Sequence, residues 1–453
     1  MKQYDVVIIG GGPGGVMTAL SARNTYPDKS ILLIRREKIA LIPCGIPYML
    51  HTLPRAEDNI LPDAALEKNN IELLVDEVVN VDPESKKIEL KSGESLEFTK
   101  LVLAVGTTPF IPPIEGIDLE GVYFIKKNID YMRDLKERIN AAKNIVIVGG
   151  GFIGVECADE LLKAGKNVTI VEMLKSLLPL SMDKEFGDMV ADVLKEKGAE
   201  VLTNVSVKAI TGNGKVESVT LNNGEKRPAD LVIVAVGYRP NVKLAQKMGL
   251  EVDPRYGIIV DEYMRTSAND IFAVGDCTAK RHFLTADYTK LMLASTAMAQ
   301  GRLVGSSLFG IKVIKEFLGF LGTFSTKVCG VAFASVGLTE DMAKAAGIDY
   351  VVGTHEVPDR HPGKLPGASK IYMKLIFARY SHQLLGAQIR GGDSVGELIN
   401  LLSVMVQNRM TDLEIDALQI GTHPLLTASP LSYPVIAATV NAIIKWYYKV
   451  RQI

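Results

Sequence analysis

Two glycine-rich turns constrain the fold of this chain more than any other feature. Each turn follows a short apolar strand and opens a helix of small residues. The glycines have the spacing G-x-G-x-x-G, at Gly10, Gly12, Gly15 and again at Gly149, Gly151, Gly154. In this spacing the first glycine makes the turn, the second lets the backbone approach a pyrophosphate, and the third lets helix and strand pack closely. We therefore expect an α/β chain with two Rossmann-like dinucleotide-binding domains, each holding a phosphate at a helix N-terminus.

The second glycine turn is followed by an acidic residue at the expected distance. The strand Asn167–Val171 ends in Glu172, which lies 18 residues after Gly154. A carboxylate about 20 residues beyond the glycines binds an adenosine ribose in such domains. Because Glu172 disfavours a 2′-phosphate, this site is predicted to prefer NADH. NADPH stays possible, since Lys175 follows closely.

The residues after the first glycine turn match the pattern of strand and carboxylate less closely. The strand Ile31–Ile34 runs into Arg35 and Arg36, and the carboxylate follows at Glu37. Glu37 either takes the ribose role after a local shift or makes no such contact, and the sequence leaves both alternatives open.

Length and composition limit the number of domains and the classes of protein to which this chain can belong. At about 100 to 200 residues per domain, 453 residues predict about three domains. Lys and Arg total 51 against 52 Asp and Glu, so the chain has no positive excess with which to bind nucleic acid. The four cysteines contain no C-x-x-C pair and the histidines show no ligand spacing, so we expect neither a disulfide framework nor a metal. The apolar run at the N-terminus is too short for a signal peptide, and a cytoplasmic location is expected.

Three further segments place small or acidic residues at the ends of strands. The segments Thr99–Pro113 and Ala229–Asn241 both close on Ala-Val-Gly, at Gly106 and Gly237, and are interpreted as crossings between domains. The third segment, Thr266–Cys277, runs from a strand into Gly275 and Asp276. This places a carboxylate at the carboxyl end of the strand, where ligands bind in open α/β sheets.

The order of these motifs along nearly the whole chain resembles the pyridine nucleotide-disulfide oxidoreductase superfamily. The resemblance implies that the first glycine turn binds FAD, that the second binds NAD(P)H, and that Asp276 hydrogen-bonds the ribityl chain of the flavin. It also implies that Glu156 lies near the nicotinamide ring, with Phe152 and Ile153 close to the flavin face. The implied domains are an FAD domain, 1–111 with 246–323, a NAD domain inserted into it, 112–245, and an α+β dimerisation domain, 324–453. A homodimer follows from the last of these.

Cys44 is the predicted nucleophile. It lies in ALIPCGIPYML, where a short helix is expected to begin, and a thiolate is stabilised at a helix N-terminus. Relatives that use two thiols carry the second cysteine five positions upstream, where this chain has Ile39. The chain therefore resembles the single-cysteine branch, which comprises coenzyme A disulfide reductases, persulfide and sulfur reductases, and NADH oxidases and peroxidases. The remaining cysteines are interpreted as structural: Cys157, Cys277, and Cys329 in the first strand of the dimerisation domain.

The C-terminal part departs from the coenzyme A disulfide reductases. Those enzymes carry two tyrosines in segments that here contain Leu365 and Thr422. The pair His423-Pro424 instead resembles the His-Pro of the two-thiol reductases, whose histidine acts as a base across the dimer. The glutamate that orients this base would fall at Ala428. His423 is thus either an acid-base residue or a packing residue, and the sequence leaves both open.

These elements predict one reaction and two alternatives. NADH would reduce FAD, and the electrons would reach Cys44, which attacks the S–S bond of coenzyme A persulfide, polysulfide or coenzyme A disulfide. Coenzyme A would serve as substrate or as the thiol that resolves the adduct. The first alternative is an NADH oxidase or peroxidase working through a Cys44 sulfenic acid.

The second alternative concerns the C-terminal tail, Pro434–Ile453. An apolar stretch followed by aromatic and basic residues is also found in membrane-peripheral NADH:quinone reductases. We favour a helix packed at the dimer interface, and we do not expect membrane association.

Overall fold

The computed structural model describes residues 2–312, 314 and 319–450. The chain divides into two compact units. One comprises Met1–Pro113, Tyr123–Ala141 and Gly237–Phe320, and the other comprises Ile114–Val122, Ala142–Val236 and Leu321–Ile453. This division groups most of the predicted NAD domain with the dimerisation domain, so the boundaries of three separate domains stay a prediction.

The first unit is built on a seven-stranded sheet whose central strand carries the first glycine turn. Lys2–Ile9 pairs in parallel with Ile31–Arg35 on one side and Ser95–Leu103 on the other. Its last four residues are almost fully buried, as expected of a strand covered on both faces. The outer strands are Glu72–Val75, Ile271–Ala273, Lys87–Leu90 and Val78–Asp82.

The helix that follows the first glycine turn, Pro13–Thr25, packs against the helix Ala294–Ser307. Glycines allow the close approach: a Cβ at Gly301 would lie 2.6 Å from the carbonyl oxygen of Gly14, and one at Gly305 would lie 2.5 Å from that of Thr18. The other helices of this unit are Ala64–Lys68, Ile129–Ala141 and Lys243–Lys247, with 3₁₀ turns at Pro43–Gly45, Pro47–Leu50, Ala56–Asn59 and Gly275–Cys277. Short two-stranded ribbons join Thr107–Pro109 to Tyr238–Pro240, Val252–Asp253 to Gly257–Ile258, and Lys280–Arg281 to Tyr288–Thr289.

The second unit contains a parallel sheet and an antiparallel sheet. Four strands of the parallel sheet have the order Glu200–Thr203, Asn167–Glu172, Asn144–Val148, Leu231–Val234, with the helices Phe152–Lys163 and Lys184–Glu196. The edge strand Val122–Phe124 begins in this unit at Val122. A three-stranded sheet accompanies it, formed by Val207–Thr211, Ser218–Leu221 and Lys226–Pro228.

The C-terminal part is the predicted α+β element. Its five antiparallel strands have the order Thr323–Val328, Val331–Gly337, Leu384–Gly391, Lys370–Ala378, Tyr350–Pro358. The helices here are Glu340–Ala345, Val395–Gln407, Asp412–Asp416 and Pro434–Val450, with a 3₁₀ turn at Pro430–Ser432. Two dinucleotide-type sheets and this α+β part confirm the predicted fold class.

Two local predictions need revision or limits. Cys329 was expected in a strand, but it lies in the hairpin turn after Val328, with φ +49°, because the strand ends one residue earlier.

In the tail, Trp446 donates from Nε1 to the carbonyl oxygen of Arg379 at 3.0 Å, so this aromatic residue packs on its own domain. Arg451, one of the basic residues of this tail, lies outside the described residues. In the described ranges, no helix is both long and apolar enough to cross a membrane.

Candidate active site and nucleotide sites

The three glycines of the first turn have three different geometries. Gly10 has φ +121°, and a Cβ there would lie 2.2 Å from the carbonyl oxygen of Ala104. A Cβ at Gly15 would lie 1.9 Å from the carbonyl oxygen of Gly10, so this glycine permits the contact of helix and strand. A Cβ at Gly12 would meet nothing within 4 Å. Open space therefore lies at the N-terminus of the helix Pro13–Thr25, where the pyrophosphate of a dinucleotide fits.

One carboxylate oxygen of Asp276 is a buried hydrogen-bond acceptor without a donor. It lies in the turn Gly275–Cys277, directly after the strand Ile271–Ala273. Its Oδ1 is buried and has no hydrogen-bond partner in the described part of the chain, while Lys127 Nζ lies 3.9 Å from Oδ2. Leaving such an acceptor unsatisfied is costly. A ribityl hydroxyl would supply the missing donor, so the residues present fit FAD.

Two buried residues that the sequence interpretation missed hold the Asp276 turn. Gln300 accepts from the backbone N–H of Gly275 at 2.7 Å, and Lys280 donates from Nζ to the carbonyl oxygens of Gly275 and Thr278 at 2.8 and 3.1 Å. Burial lowers the pKa of Lys280 from its usual value. No spacing rule points to either residue, because both act through their place in the fold.

Asp276→Ala is expected to weaken FAD binding about 10- to 100-fold, which is the effect of losing a hydrogen bond of about 1.5–3 kcal/mol to a charged group. The ratio of flavin to protein absorbance after purification measures it, followed by titration of the apoprotein with FAD. Asp276→Asn keeps one acceptor oxygen, so its affinity for FAD should lie between those of the wild type and Asp276→Ala. Wild-type FAD occupancy in Asp276→Ala would remove Asp276 from the site.

The basic residues near the first turn serve the fold. Arg35 is buried, pairs with Asp63 and donates to the carbonyl oxygen of Glu37 at 2.9 Å. The carboxylate of Glu37 pairs with Arg36 at 2.8 Å. A ribose contact of Glu37 therefore stays a prediction. Arg23 of the first helix donates to four backbone carbonyl oxygens, those of Pro27, Lys29, Asn69 and Asn70.

The second glycine turn repeats the geometry of the first. Gly149 has φ +108°, and a Cβ there would lie 2.6 Å from the carbonyl oxygen of Ala235. A Cβ at Gly154 would lie 2.0 Å from the carbonyl oxygen of Gly149, and one at Gly151 would meet nothing within 4 Å. The residues present fit a second dinucleotide.

Glu172 is bound to the second turn itself. It is buried, and its two carboxylate oxygens accept from the backbone N–H groups of Gly150 and Leu174, each at 2.7 Å. Each oxygen keeps a second lone pair for a ribose hydroxyl. Lys175, the residue that left NADPH possible, is paired with Asp341 at 2.5 Å. Both observations support the predicted preference for NADH.

Glu156, Phe152 and Ile153 lie in the first turns of the helix Phe152–Lys163. Thr326 donates from Oγ1 to Glu156 at 2.8 Å, and the ring of Phe152 stacks on Phe324 with centroids 5.2 Å apart. Burial raises the pKa of Glu156 to about 7, with a smaller rise from the charge of Asp159. The contacts of these three residues with nicotinamide and flavin stay predictions.

The raised pKa of Glu156 predicts a pH-dependent stability. The folded protein holds this proton more tightly than the unfolded chain, so the contribution to stability is complete below pH 4.5 and is lost as the pH rises through about 7. Glu156→Gln keeps the neutral state at every pH. It should therefore raise the melting temperature near pH 8, by a stability gain on the order of 1 kcal/mol, and leave it unchanged near pH 4. Melting curves without NADH test this, and a difference that does not vary with pH would contradict it.

Cys44 is exposed, whereas the other three cysteines are buried or half-buried. It lies in the single 3₁₀ turn Pro43–Gly45, so the helix dipole available to a thiolate is smaller than the sequence suggested. Burial raises the pKa of the Cys157 thiol, that of Cys277 to about 11 and that of Cys329 to about 12. Cys44 is thus the most accessible of the four thiols, and its role as the nucleophile stays a prediction.

The segments that replace the two tyrosines lie side by side. His361 donates from its backbone N–H to the carbonyl oxygen of Pro424 at 3.1 Å, next to His423. His423 is exposed, and its Nδ1 accepts from the backbone N–H of Leu425 at 3.2 Å. Among the described residues no carboxylate contacts this imidazole, and Ala428 is buried. An acid-base role for His423 would therefore rest on the imidazole alone.

Gly106 and Gly237 mark the two predicted crossings. They have φ +61° and +102°. The strands after them form one ribbon, in which the N–H of Phe110 donates to Gly237 at 3.0 Å and that of Asn241 donates to Gly106 at 2.9 Å. The two chain passages thus pair with each other, and their role as crossings between domains stays a prediction.

The part of the chain that the structure describes holds no group of three potential metal ligands.

Two glycine turns with room for a pyrophosphate, a buried carboxylate oxygen without a donor and an exposed thiol are the features that a flavin-dependent nicotinamide oxidoreductase requires. Residues 4–301 match the pyridine nucleotide-disulphide oxidoreductase family, and residues 323–431 match the dimerisation domain of that family. The chain therefore belongs to the pyridine nucleotide-disulphide oxidoreductases, whose cofactors are FAD and NAD(P)H. This confirms the resemblance seen in the sequence.

Relatives include both sulfur reductases and oxidases. The chain is 34% identical to an NADH oxidase of Methanocaldococcus jannaschii, over 90% of this chain and 92% of that protein. It is 33% identical to an NAD(P)H sulfur oxidoreductase (CoA-dependent) of Pyrococcus abyssi, over 90% of this chain and 91% of that protein. The solved structure of an NAD-dependent persulfide reductase from A. fulgidus is similar with a TM-score of 0.91 and 33% identity, over 97% of this chain and 83% of that one.

Proposed function

We propose that this protein is an NADH-dependent persulfide or disulfide reductase that uses Cys44 as its one nucleophile. The observation that carries the proposal is the exposed thiol of Cys44, with Ile39 where a second cysteine would be needed for an internal disulfide. The relatives named for sulfur and persulfide reduction support the substrate class.

Cys44 performs the sulfur chemistry. FAD held at the first glycine turn and Asp276 would supply the sulfur with the two electrons that NADH brings. The Cys44 thiolate attacks the outer sulfur of a persulfide, the S–S bond breaks, and the small thiol leaves as Cys44 becomes a persulfide. Two electrons then break the new S–S bond, which releases hydrosulfide and restores the thiolate. The departing thiol is a small molecule, because the chain has Ile39 where a second protein cysteine would be needed. Coenzyme A fits this role.

Leaving thiolates take up protons, and His423 is the candidate donor. The donor would be the imidazolium, which returns to the neutral imidazole when the thiolate takes the proton. His423→Ala is expected to slow release of the thiol about 10-fold, measured as the rate at which coenzyme A is formed from coenzyme A persulfide.

Oxygen or peroxide reduction through a Cys44 sulfenic acid is the second candidate, and the similarity to an NADH oxidase favours it. One experiment separates the two. NADH consumption is compared in one buffer with coenzyme A persulfide, coenzyme A disulfide, polysulfide, oxygen and hydrogen peroxide, and the untreated protein is examined by mass spectrometry for what is bonded to Cys44. A coenzyme A or persulfide adduct with the highest kcat/KM on a sulfur acceptor supports the proposal, whereas a sulfenic acid with faster peroxide reduction overturns it.

The dimerisation domain leads us to include a homodimer in the proposal. Its segment 425–431 exposes three leucines, Leu425, Leu426 and Leu431, by 50%, 71% and 97%. Exposed apolar groups of this size in one segment are typical of a surface that another chain covers. Light scattering with size-exclusion chromatography tests this, and a mass near 49 kDa in solution would contradict it.

A further inference from the structure

One buried polar side chain, Asn59, holds the segment that carries Cys44. It is 2% exposed and ends the 3₁₀ turn Ala56–Asn59, 15 residues after Cys44. A buried amide needs partners for all its polar groups, so its contacts show what it serves.

The contacts of Asn59 reach the chain on both sides of Cys44. Before Cys44, Nδ2 donates to the carbonyl oxygen of Ile42 at 3.0 Å, and the N–H of Ile42 donates back to the carbonyl oxygen of Asn59 at 3.0 Å. After Cys44, Nδ2 lies 3.2 Å from Sδ of Met49, which is itself buried. The segment from Ile42 to Met49, which contains Cys44, is thus tied to one side chain at both its ends.

Gly45 leaves the space that Asn59 fills. A Cβ at Gly45 would lie 1.9 Å from Oδ1 of Asn59 and 2.8 Å from its Cγ. The φ of Gly45 lies outside the left-handed region, so the backbone alone does not require glycine here. The missing side chain therefore serves the fit with Asn59.

We propose that Asn59 is a positioning residue for Cys44. Its amide and the matching gap at Gly45 fix the turn Pro43–Gly45, and thereby the direction from which the thiol meets its substrate. The inference rests on the proposed role of Cys44. A nucleophile that loses its alignment by about 1 Å loses about 100-fold in rate, so the effect is measurable.

Asn59→Ala is expected to lower kcat for coenzyme A persulfide at least about 10-fold while FAD content and the KM for NADH stay as in the wild type. Gly45→Ala is expected to lower it as well, because the new methyl group collides with Oδ1. In Gly45→Ala/Asn59→Ala the collision is gone, so the double variant should be no slower than Asn59→Ala alone. The matched control is Asn69→Ala, which removes an amide-to-carbonyl hydrogen bond of 2.8 Å to Ala65 in the same unit and should behave as the wild type.

Two outcomes overturn the inference: a wild-type kcat in Asn59→Ala, or Gly45 and Asn59 effects that simply multiply. If Asn59→Ala fails to retain FAD, Asn59→Leu fills the same volume without donors and is judged by the same criteria. The rate at which iodoacetamide alkylates Cys44 is a second readout that needs no persulfide, and it should show the same non-additive pattern. Persulfide turnover retained in Cys44→Ser would defeat the proposed function alone. The alkylation rates of the single and double variants would still test whether Asn59 positions Cys44.

Discussion

Cys44→Ser is expected to lower the reduction of low-molecular-weight S–S bonds at least about 1,000-fold, because a serine hydroxyl stays protonated near neutral pH and cannot form a persulfide. NADH should still bleach the flavin absorbance under anaerobic conditions, since the glycine turns and Asp276 are untouched. The measurement is NADH consumption with coenzyme A persulfide in steady state, paired with stopped-flow reduction of the flavin. The two readouts separate the sulfur step from the nicotinamide step.

Cys329→Ser is the matched control for this substitution. Cys329 is the other cysteine that is partly exposed, and its pKa is raised to about 12 by burial and by the charge of Asp159. It should keep wild-type rates in both readouts. Persulfide turnover retained in Cys44→Ser would defeat the proposal, and quinone reduction at the wild-type rate in the same variant would revive the quinone reductase alternative.

The nucleotide sites were predictable because their rules are local. Gly10, Gly12 and Gly15 lie within six residues, and the contacts that exclude a side chain at Gly15 come from Gly10 of the same turn. A spacing along the chain therefore maps directly onto a geometry. The same holds for Glu172, whose carboxylate reaches the turn at Gly150 across two neighbouring parallel strands.

The residues that hold the turns of Cys44 and Asp276 were not predictable from spacing. Asn59 and Lys280 are polar residues in ordinary sequence surroundings, and they matter because folding buries their amide and ammonium groups against particular carbonyl oxygens. The error at Cys329 has a similar origin. One residue separates a strand from a hairpin turn, and the hydrophobic pattern does not resolve that difference.

The second glycine turn yields the other large effect, through two substitutions that act differently. Gly151 has extended backbone angles, φ −74° and ψ −177°, and open space around its Cβ position. Gly151→Val should therefore leave the melting temperature and FAD content unchanged, while the side chain occupies the space that the pyrophosphate of NADH needs. We expect the KM for NADH to rise at least about 10-fold, the equivalent of about 1.4 kcal/mol of lost binding.

Gly154→Val should instead lower the stability of the protein, because its Cβ would lie 2.0 Å from the carbonyl oxygen of Gly149. Helix and strand would separate, at a cost of about 1–3 kcal/mol or more in stability, so thermal unfolding should show the loss before kinetics do. Gly396→Ala in the helix Val395–Gln407 is the control, since a Cβ there meets nothing within 4 Å. If Gly151→Val bound NADH normally, or unfolded as readily as Gly154→Val, the open space at Gly151 would not be the place of the pyrophosphate, and the nicotinamide nucleotide would have to be held elsewhere in the chain.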